Sequence, residues 1–151
     1  MSGKPLLLLP MPRHLTLSNG ALILPEGALL AMSSNDLFDE SLTAQKNLSS
    51  QAGLHWELVV GSDYTNTGLS LNIDPAMTHS QGYHLTIDAQ KISIVGADTA
   101  GVYYGVCALR QLLQQYGKQL PQLAIEDWPD FPVRGVMLDI SRDKVPTLQT
   151  V

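Results

Sequence analysis

The chain has 151 residues, a length that suits one compact domain and is short for a large barrel or a two-domain enzyme. Nine basic against fourteen acidic side chains give a formal charge of −5, so we expect no nucleic-acid partner, because phosphate binding needs a basic face. A single cysteine, Cys107, excludes an internal disulfide and a cysteine zinc cluster.

The chain opens with a run of four leucines that resembles the start of a secretory signal. Pro10 and Pro12 interrupt this run well below the usual apolar length, and no small-residue cleavage site follows. We interpret it as a strand entering the fold, which leaves the compartment open with the cytoplasm slightly favoured. Nowhere does the chain reach the roughly 20 apolar residues of a membrane-spanning helix, so no membrane partner is expected.

The first half of the chain predicts short strands and one helix. Breaks containing proline and glycine separate extended pieces at about 6–9, 13–18 and 21–24. The segment "NDLFDESLTAQKNLSSQAG" then has helical periodicity, with Asn35 or Asp36 as its N-cap and Gly53 as its stop.

Four alternating or apolar segments follow, and each predicts a strand: "HWELVVG", "LSLNID", "YHLTID" and "KISIVG". The last two are joined at Asp88, Ala89 and Gln90, which predicts a hairpin.

The segment "DTAGVYYGVCALRQLLQQYG" carries the clearest helix signals. Asp98 or Thr99 caps it and Gly117 ends it. One apolar face is predicted to meet the core: Val102, Val106, Leu109 and Leu113. Gly101 and Gly105 stand one turn apart inside the helix, where glycine is unfavourable, so the sequence predicts a close approach to the sheet or to another helix.

The last part of the chain predicts a change of folding unit. "LPQLAIEDWPDFPVRG" contains a strand, an acidic turn and two prolines, which places a boundary near 128–133. An apolar strand from Gly135 to Ile140 follows, with Arg134 before it and Asp139 and Arg142 at its far end.

No self-contained active site is visible in these patterns. The four histidines lack metal-ligand spacing, and neither a Gly-x-Ser-x-Gly elbow nor a glycine-rich phosphate loop occurs. Glu126 and Asp127 lie next to each other in an extended segment, so their side chains should point apart instead of sharing a proton. We expect an α+β domain without a metal or cofactor.

Two segments in tandem, about 45 residues, resemble the family 20 glycoside hydrolases, the β-N-acetylhexosaminidases. The family pattern Gly-x-x-Tyr-Gly-x-x-Thr-Leu-x-Gln-Leu is matched at Gly101, Tyr104, Gly105, Leu109, Gln111 and Leu112. The pattern Ile-x-Asp-x-Pro-x-Phe-x-x-Arg-Gly-x-x-x-Asp-x-x-Arg is matched at Ile125, Asp127, Pro129, Phe131, Arg134, Gly135, Asp139 and Arg142. The order and joint spacing make the resemblance specific.

The resemblance implies a fold and a division of the chain. Residues 1–130 would form the family's non-catalytic, zincin-like α+β domain, with a mainly antiparallel sheet and two helices packed on one face. Residues 131–151 would begin a truncated (β/α)8 barrel.

The resemblance also implies roles for individual residues. Arg134 would bind hydroxyls of a terminal N-acetylhexosamine in a glycan, while Asp139 and Arg142 would be structural or support the site from behind. The alternative is that Arg134 pairs with Asp127 or Asp130 and only fixes the turn between the two units. The family's catalytic Asp-Glu pair would lie in a later barrel strand, and the "FDES" segment at 38–41 lies in the first predicted helix.

The expected protein is therefore an inactive N-terminal part of a retaining exo-β-N-acetylhexosaminidase with substrate-assisted catalysis. The rival hypothesis is a free-standing glycan-binding or scaffolding module that uses aromatic platforms. Its candidates are Trp56, Tyr64, Tyr83 and Trp128.

Overall fold

The computed structural model describes residues 6–61, 64–137 and Thr147, and these form an α+β domain, as predicted. Within them one sheet holds seven strands: β1 (His14–Ile23), β2 (Leu29–Met32), β3 (Glu57–Val60), β4 (Thr67–Ile73), β5 (Tyr83–Ile87), β6 (Ile92–Gly96) and β7 (Gln119–Asp127). Two α-helices, α1 (Phe38–Ala52) and α2 (Thr99–Tyr116), pack against each other and against the sheet.

The sheet is mixed, so the prediction of a mainly antiparallel sheet is wrong. Its strand order is β1-β7-β5-β6-β4-β2-β3. The β1–β7, β7–β5 and β5–β6 pairs are antiparallel, whereas β6–β4, β4–β2 and β2–β3 are parallel. Parallel neighbours need a crossover, and α1 supplies the one between β2 and β3.

Among the described residues, the two helices cover one face of the sheet, and the side chains on the other face are exposed to a greater degree. Strand β5 shows this alternation, because Tyr83, Leu85 and Ile87 are buried while His84 and Thr86 are exposed. The alternation is the period of two that places successive side chains on opposite faces of a strand.

Helix α1 ends where the sequence predicts and begins slightly later. A short 3-10 helix (Asn35–Leu37) forms at the predicted N-cap, and the α-helix starts at Phe38. At its C-terminus Gly53 has a φ of 65°, and its backbone N–H donates to the carbonyl of Ser49. This left-handed conformation is the one that glycine adopts without steric cost.

Helix α2 confirms the predicted cap and apolar face. The Asp98 carboxylate accepts a hydrogen bond from the backbone N–H of Gly101 at 2.8 Å, and Gly117 ends the helix. The four side chains predicted to meet the core are all buried: Val102, Val106, Leu109 and Leu113.

The two glycines of α2 lie in the close approach that the sequence predicts. A Cβ added at Gly101 would lie 2.1 Å from the carbonyl oxygen of Gly82, just before β5. A Cβ added at Gly105 would lie 2.6 Å from a methyl carbon of Ile94 on β6. The absent side chains therefore let the N-terminal half of α2 rest directly on the sheet.

The hairpin between β5 and β6 is confirmed. Ile87 and Ile92 are paired residues of the antiparallel ladder, and the Asp88 carboxylate accepts hydrogen bonds from the backbone N–H groups of Gln90 and Lys91. An aspartate at the start of a turn stabilises it by such bonds.

The N-terminal strand predictions need correction. Residues 13–18 and 21–24 belong largely to one strand, β1, whose pairing with β7 shifts register between Leu17 and Ala21. Residues 6–9 form no strand, because their backbone pairs with side chains of α2: Leu7 with Gln115 and Leu9 with Gln111. The predictions also missed β2, which follows Gly27 closely.

The C-terminal strand prediction is only partly covered by the structure. Gly135, Val136 and Met137 are exposed and belong to no strand or helix. Residues 138–140 lie outside the described residues, so the barrel strand stays a prediction.

Candidate functional site

The predicted site residue Arg134 lies in a segment that follows β7, here called the exit segment (residues 128–137). It runs beside the residues that precede β1, here called the entry segment (residues 6–13). A cleft of about 530 Å³ lies between these segments and the outer side of α2, and Tyr83, Tyr104 and Cys107 contribute to its wall. Both chain segments and the middle of α2 thus meet at one place.

Arg13 of the entry segment fixes the first part of the exit segment. Its backbone N–H donates to the Asp127 carboxylate at 3.2 Å, and its Nε donates to the carbonyl of Trp128 at 3.1 Å. Its Nη2 also donates to the Asp130 carboxylate, with which it forms a salt bridge. Asp127 and Asp130, the alternative partners predicted for Arg134, therefore bond to Arg13.

The indole of Trp128 contacts polar side chains of two other segments. The His79 ring stacks on it with a centroid distance of 4.0 Å and an interplanar angle of 7°, and the guanidinium carbon of Arg13 lies 4.8 Å from its ring centroid. These contacts hold Trp128 against neighbouring segments, and the stacked His79 ring occupies ring surface that a sugar platform would need.

Arg134 is held by α2 and by the loop before β5. Its Nη2 donates to the Tyr104 hydroxyl at 2.7 Å and to the side-chain oxygen of Gln81 at 3.0 Å. Its Nη1 donates to the carbonyl of Phe131 in its own segment. The guanidinium carbon lies 5.3 Å from the ring centroid of Tyr104, which adds a cation–π contact.

Gln81 connects this arginine to the N-terminus of α2. Its φ is 60°, in the left-handed region that residues other than glycine rarely occupy. Its backbone N–H donates to the Asp98 carboxylate at 2.9 Å, and its side-chain nitrogen donates to the carbonyl of Pro132 at 2.9 Å. Asp98 therefore caps α2 and fixes the loop at the same time.

Sequence reasoning missed Gln81, while Tyr104 entered only as a match to the family pattern. The one local signal is the "SQG" sequence between two ordered segments, which favours a turn without indicating which side chain points into the cleft. Asp139 and Arg142, the other two predicted site residues, lie outside the described residues.

Among the described residues that line the cleft, the arrangement of two carboxylic acids that hydrolyses glycosides is not found. The carboxylates that line it, Asp127 and Asp130, both bond to Arg13. Burial, reinforced by the negative charge of Asp127, raises the pKa of the Tyr83 phenol above its ordinary value, so this hydroxyl ionises less readily than that of an exposed tyrosine. The described polar groups of the cleft thus join the entry segment to the exit segment.

The other acidic pairs behave as the sequence predicts. Glu126 interacts with His84, whose Nε2 lies 3.4 Å from the glutamate oxygen, while Asp127 turns towards Arg13. Asp39 and Glu40 lie in the first turn of α1.

The aromatic side chains proposed for a free-standing glycan-binding module are mostly inaccessible. Trp56 is 1% exposed and Tyr83 is 6% exposed, so both belong to the core. The Trp56 nitrogen donates to the carbonyl of Pro25, and its ring fills the space beside Gly68. Tyr64 is the exposed candidate, and its hydroxyl donates to the carbonyl of Val60.

Two classes of site are not found in the part of the chain that the structure describes. Among these residues no group of three or more histidine, cysteine, aspartate or glutamate side chains could hold a metal ion. None of the helices within residues 6–61 and 64–137 combines the length and apolarity needed to span a bilayer.

The family model described as glycosyl hydrolase family 20, domain 2, matches residues 6–128. A β-hexosaminidase of Porphyromonas gingivalis is 26% identical over 145 residues, which cover 89% of this chain and 19% of that protein. An N,N'-diacetylchitobiase of Vibrio harveyi is 32% identical over 143 residues, which cover 90% of this chain and 15% of that protein. The chain therefore spans less than a fifth of the length of these two relatives.

Solved structures share the fold. A chitobiase of Flavobacterium johnsoniae superimposes with a TM-score of 0.73 and 26% sequence identity, covering 91% of this chain and 23% of that one. A β-hexosaminidase of Streptomyces plicatus, solved with N-acetylglucosamine, gives a TM-score of 0.69 at 22% identity over 88% of this chain and 28% of that one.

Proposed function

The chain belongs to glycosyl hydrolase family 20, whose domain 2 it contains, and from this membership we propose that it is the accessory domain of a β-N-acetylhexosaminidase. The match of the family model to residues 6–128 is the observation that carries the proposal. The relatives named β-hexosaminidase and chitobiase support it, because they match nearly the whole of this chain.

In this proposal the chain has two parts. Residues 1–130 form the accessory domain, and residues 131–151 enter the catalytic barrel. The exit segment is consistent with this boundary, because after Asp127 the chain leaves the sheet. Its apolar side chains are largely exposed, with Phe131 70% exposed and Val133 87% exposed, and a barrel packed beside the domain would bury such groups.

The proposed chemistry is substrate-assisted hydrolysis with net retention. The 2-acetamido group of the terminal sugar attacks C1 and displaces the leaving oxygen, which gives an oxazolinium intermediate that water then opens. A glutamic acid protonates the leaving oxygen, and a neighbouring aspartate orients and stabilises the acetamido group. Both residues belong to a barrel strand outside these 151 residues.

Arg134 is the residue of this chain that we place at the substrate. Its planar guanidinium carries five N–H donors, a geometry that matches a pair of sugar hydroxyls. Asp139 and Arg142 would support the barrel near the site without touching the sugar. The glycan would thus bind mainly through the barrel, and through Arg134 on this chain.

An assay on residues 1–151 separates this proposal from the rival hypothesis of a free-standing glycan-binding module. The accessory-domain proposal predicts neither turnover of an aryl N-acetyl-β-glucosaminide nor measurable binding of chitobiose by calorimetry. Saturable chitobiose binding that a Tyr64→Ala substitution abolishes would favour the binding module, because Tyr64 is the exposed aromatic candidate.

A further inference from the structure

Large apolar side chains are exposed on both segments that border the cleft. Leu9 and Met11 of the entry segment are 69% and 74% exposed, and Phe131 of the exit segment is 70% exposed. All three residues line the same cleft of about 530 Å³. Exposed apolar groups that gather at one place on a surface mark a site of contact with another molecule or domain.

The polar groups of these segments bond within the domain and leave the apolar side chains exposed. The Nε of Arg13 donates to the carbonyl of Trp128, and its Nη2 donates to the Asp130 carboxylate. Burial of apolar surface is therefore the main contribution that the cleft can still make to binding. This favours a partner that supplies apolar side chains over one that supplies charges or hydroxyl groups.

Both segments are fixed on the domain before any partner binds. The side-chain amide of Gln111 on α2 bonds to both backbone groups of Leu9, and the side-chain nitrogen of Gln81 donates to the carbonyl of Pro132 at 2.9 Å. Docking on a preformed surface costs less conformational entropy than docking on a loose chain. The cleft therefore has the properties of one half of an interface.

The chain connection indicates which partner reaches this surface. The predicted barrel strand begins at Gly135, four residues after Phe131, so its start lies within about 14 Å of that side chain's backbone at roughly 3.5 Å per residue. A folded unit attached by so short a connection has an effective concentration on the order of millimolar at the cleft. A separate molecule would have to compete with it.

We propose that this cleft is the surface on which the catalytic barrel of the same polypeptide packs, and that the barrel inserts apolar side chains between Met11 and Phe131. This inference rests on the proposed function and adds to it the location of the interface. The interface comprises the entry segment, the exit segment and the outer side of α2, and not the sheet face away from the helices. The entry segment thus helps to hold a barrel that begins far later in the sequence.

The first test introduces a photo-crosslinking amino acid, p-benzoylphenylalanine, into the complete polypeptide that contains this chain. It replaces Met11 in one variant. In the control it replaces Thr86, which is exposed on the sheet face away from the helices. Mass spectrometry after irradiation identifies the peptides joined to each position. We expect position 11 to crosslink, within one molecule, to a peptide from beyond residue 151, and position 86 not to do so.

Three results of this experiment would overturn the proposal. Crosslinks from position 11 between two molecules would assign the cleft to a second copy of the polypeptide. Crosslinks from position 11 that stay within residues 1–151, or no crosslinks at all, would show that the barrel does not cover the cleft. Equal yields from positions 11 and 86 to the later peptides would remove the preference for this face.

The second test asks whether an apolar side chain at position 11 stabilises the barrel. Met11→Asp would bury an unpaired charge in the interface, whereas the domain by itself should tolerate it because Met11 is exposed there. In the complete polypeptide we expect Met11→Asp to shorten the half-life of hexosaminidase activity at a fixed elevated temperature about fivefold or more. The controls Met11→Leu and Thr86→Asp should stay within about twofold of the unmodified protein. Equal half-lives for Met11→Asp and Thr86→Asp would overturn the proposal.

The failure of this inference is distinguishable from that of the proposed function. A complete polypeptide without hexosaminidase activity overturns the function, while the crosslinks still show whether a unit beyond residue 151 packs on the cleft. An active polypeptide whose position 11 forms no such crosslink overturns this inference alone.

Discussion

The guanidinium carbon of Arg134 lies 5.3 Å from the ring centroid of Tyr104, and its Nη2 donates to the hydroxyl of the same tyrosine at 2.7 Å. The two residues are far apart in sequence and belong to different segments of the family-like pattern. Their contact joins helix α2 of the accessory domain to the residue proposed for sugar binding. It therefore gives a physical reason why the two segments occur together.

Arg134→Lys should have little effect on the stability of residues 1–151. Lysine keeps the charge and loses the planar fork that reaches Tyr104 and Gln81. Because Arg134 is exposed, we expect the free energy of unfolding to fall by less than about 1 kcal/mol. A urea titration measures this, and a loss above about 2 kcal/mol would instead assign Arg134 a structural role.

Gly101→Ala should destabilise the domain although alanine favours helix. Its Cβ would lie 2.1 Å from the Gly82 carbonyl oxygen, so the helix must move away from the sheet. We expect a loss of about 1–3 kcal/mol, which exceeds the gain in helix propensity of at most about 1 kcal/mol. The control Gly27→Ala, which meets no atom within 4 Å, should stay within about 0.5 kcal/mol in the same titration. Equal stability of the two variants would refute the close approach.

The entry segment should loosen when its side-chain partners on α2 are removed. The amides of Gln111 and Gln115 each bond to both backbone groups of one entry residue, Leu9 and Leu7 respectively. In a Gln111→Ala/Gln115→Ala variant we expect the amide hydrogens of Leu7 and Leu9 to exchange faster, while those of β5 stay protected. The control Gln114→Ala should exchange like the unmodified chain. Unchanged protection at Leu7 and Leu9 in the double variant would be evidence against this pairing.

Stability should fall at alkaline pH because of Tyr83. Burial first and the Asp127 charge second raise the pKa of Tyr83, so the folded chain binds this proton more tightly than the unfolded chain does. The stabilisation is complete below about pH 10, where an unfolded tyrosine begins to ionise, and is lost as the pH rises further. Urea titrations between neutral pH and pH 11 should show a shallower decline for Tyr83→Phe than for the control Tyr64→Phe. Identical slopes would contradict this assignment.

Local sequence signals predicted the elements well and their pairing poorly. The two ends of α2 were predicted correctly at Asp98 and Gly117, because capping depends only on residues within a few positions of each end. Strand direction depends on which distant segment pairs with which, and the alternation of "LSLNID" is the same for a parallel and an antiparallel neighbour. The parallel direction of the β4–β6 pair was missed for this reason, whereas the pairs of β2 were missed because β2 itself was not predicted.

The site was predictable only in part. Arg134 follows from the family-like spacing, whereas Gln81 depends on a left-handed backbone conformation that its side chain does not favour. The entry residues 6–9 were predicted to form a strand because they are a short apolar run. Their partners turned out to be glutamine side chains, and a sequence pattern does not distinguish these from a neighbouring strand.

The most direct test of the central claim is hydrolysis of an aryl N-acetyl-β-glucosaminide by the complete polypeptide that contains this chain, beside residues 1–151 alone. The account predicts turnover by the complete polypeptide and none by residues 1–151. In the Arg134→Lys variant of the complete polypeptide it predicts at least a tenfold lower kcat/KM, because a charge-assisted hydrogen bond contributes roughly 1.5–3 kcal/mol. No hydrolysis by the complete polypeptide, or hydrolysis by residues 1–151 that a substitution within them abolishes, would contradict it.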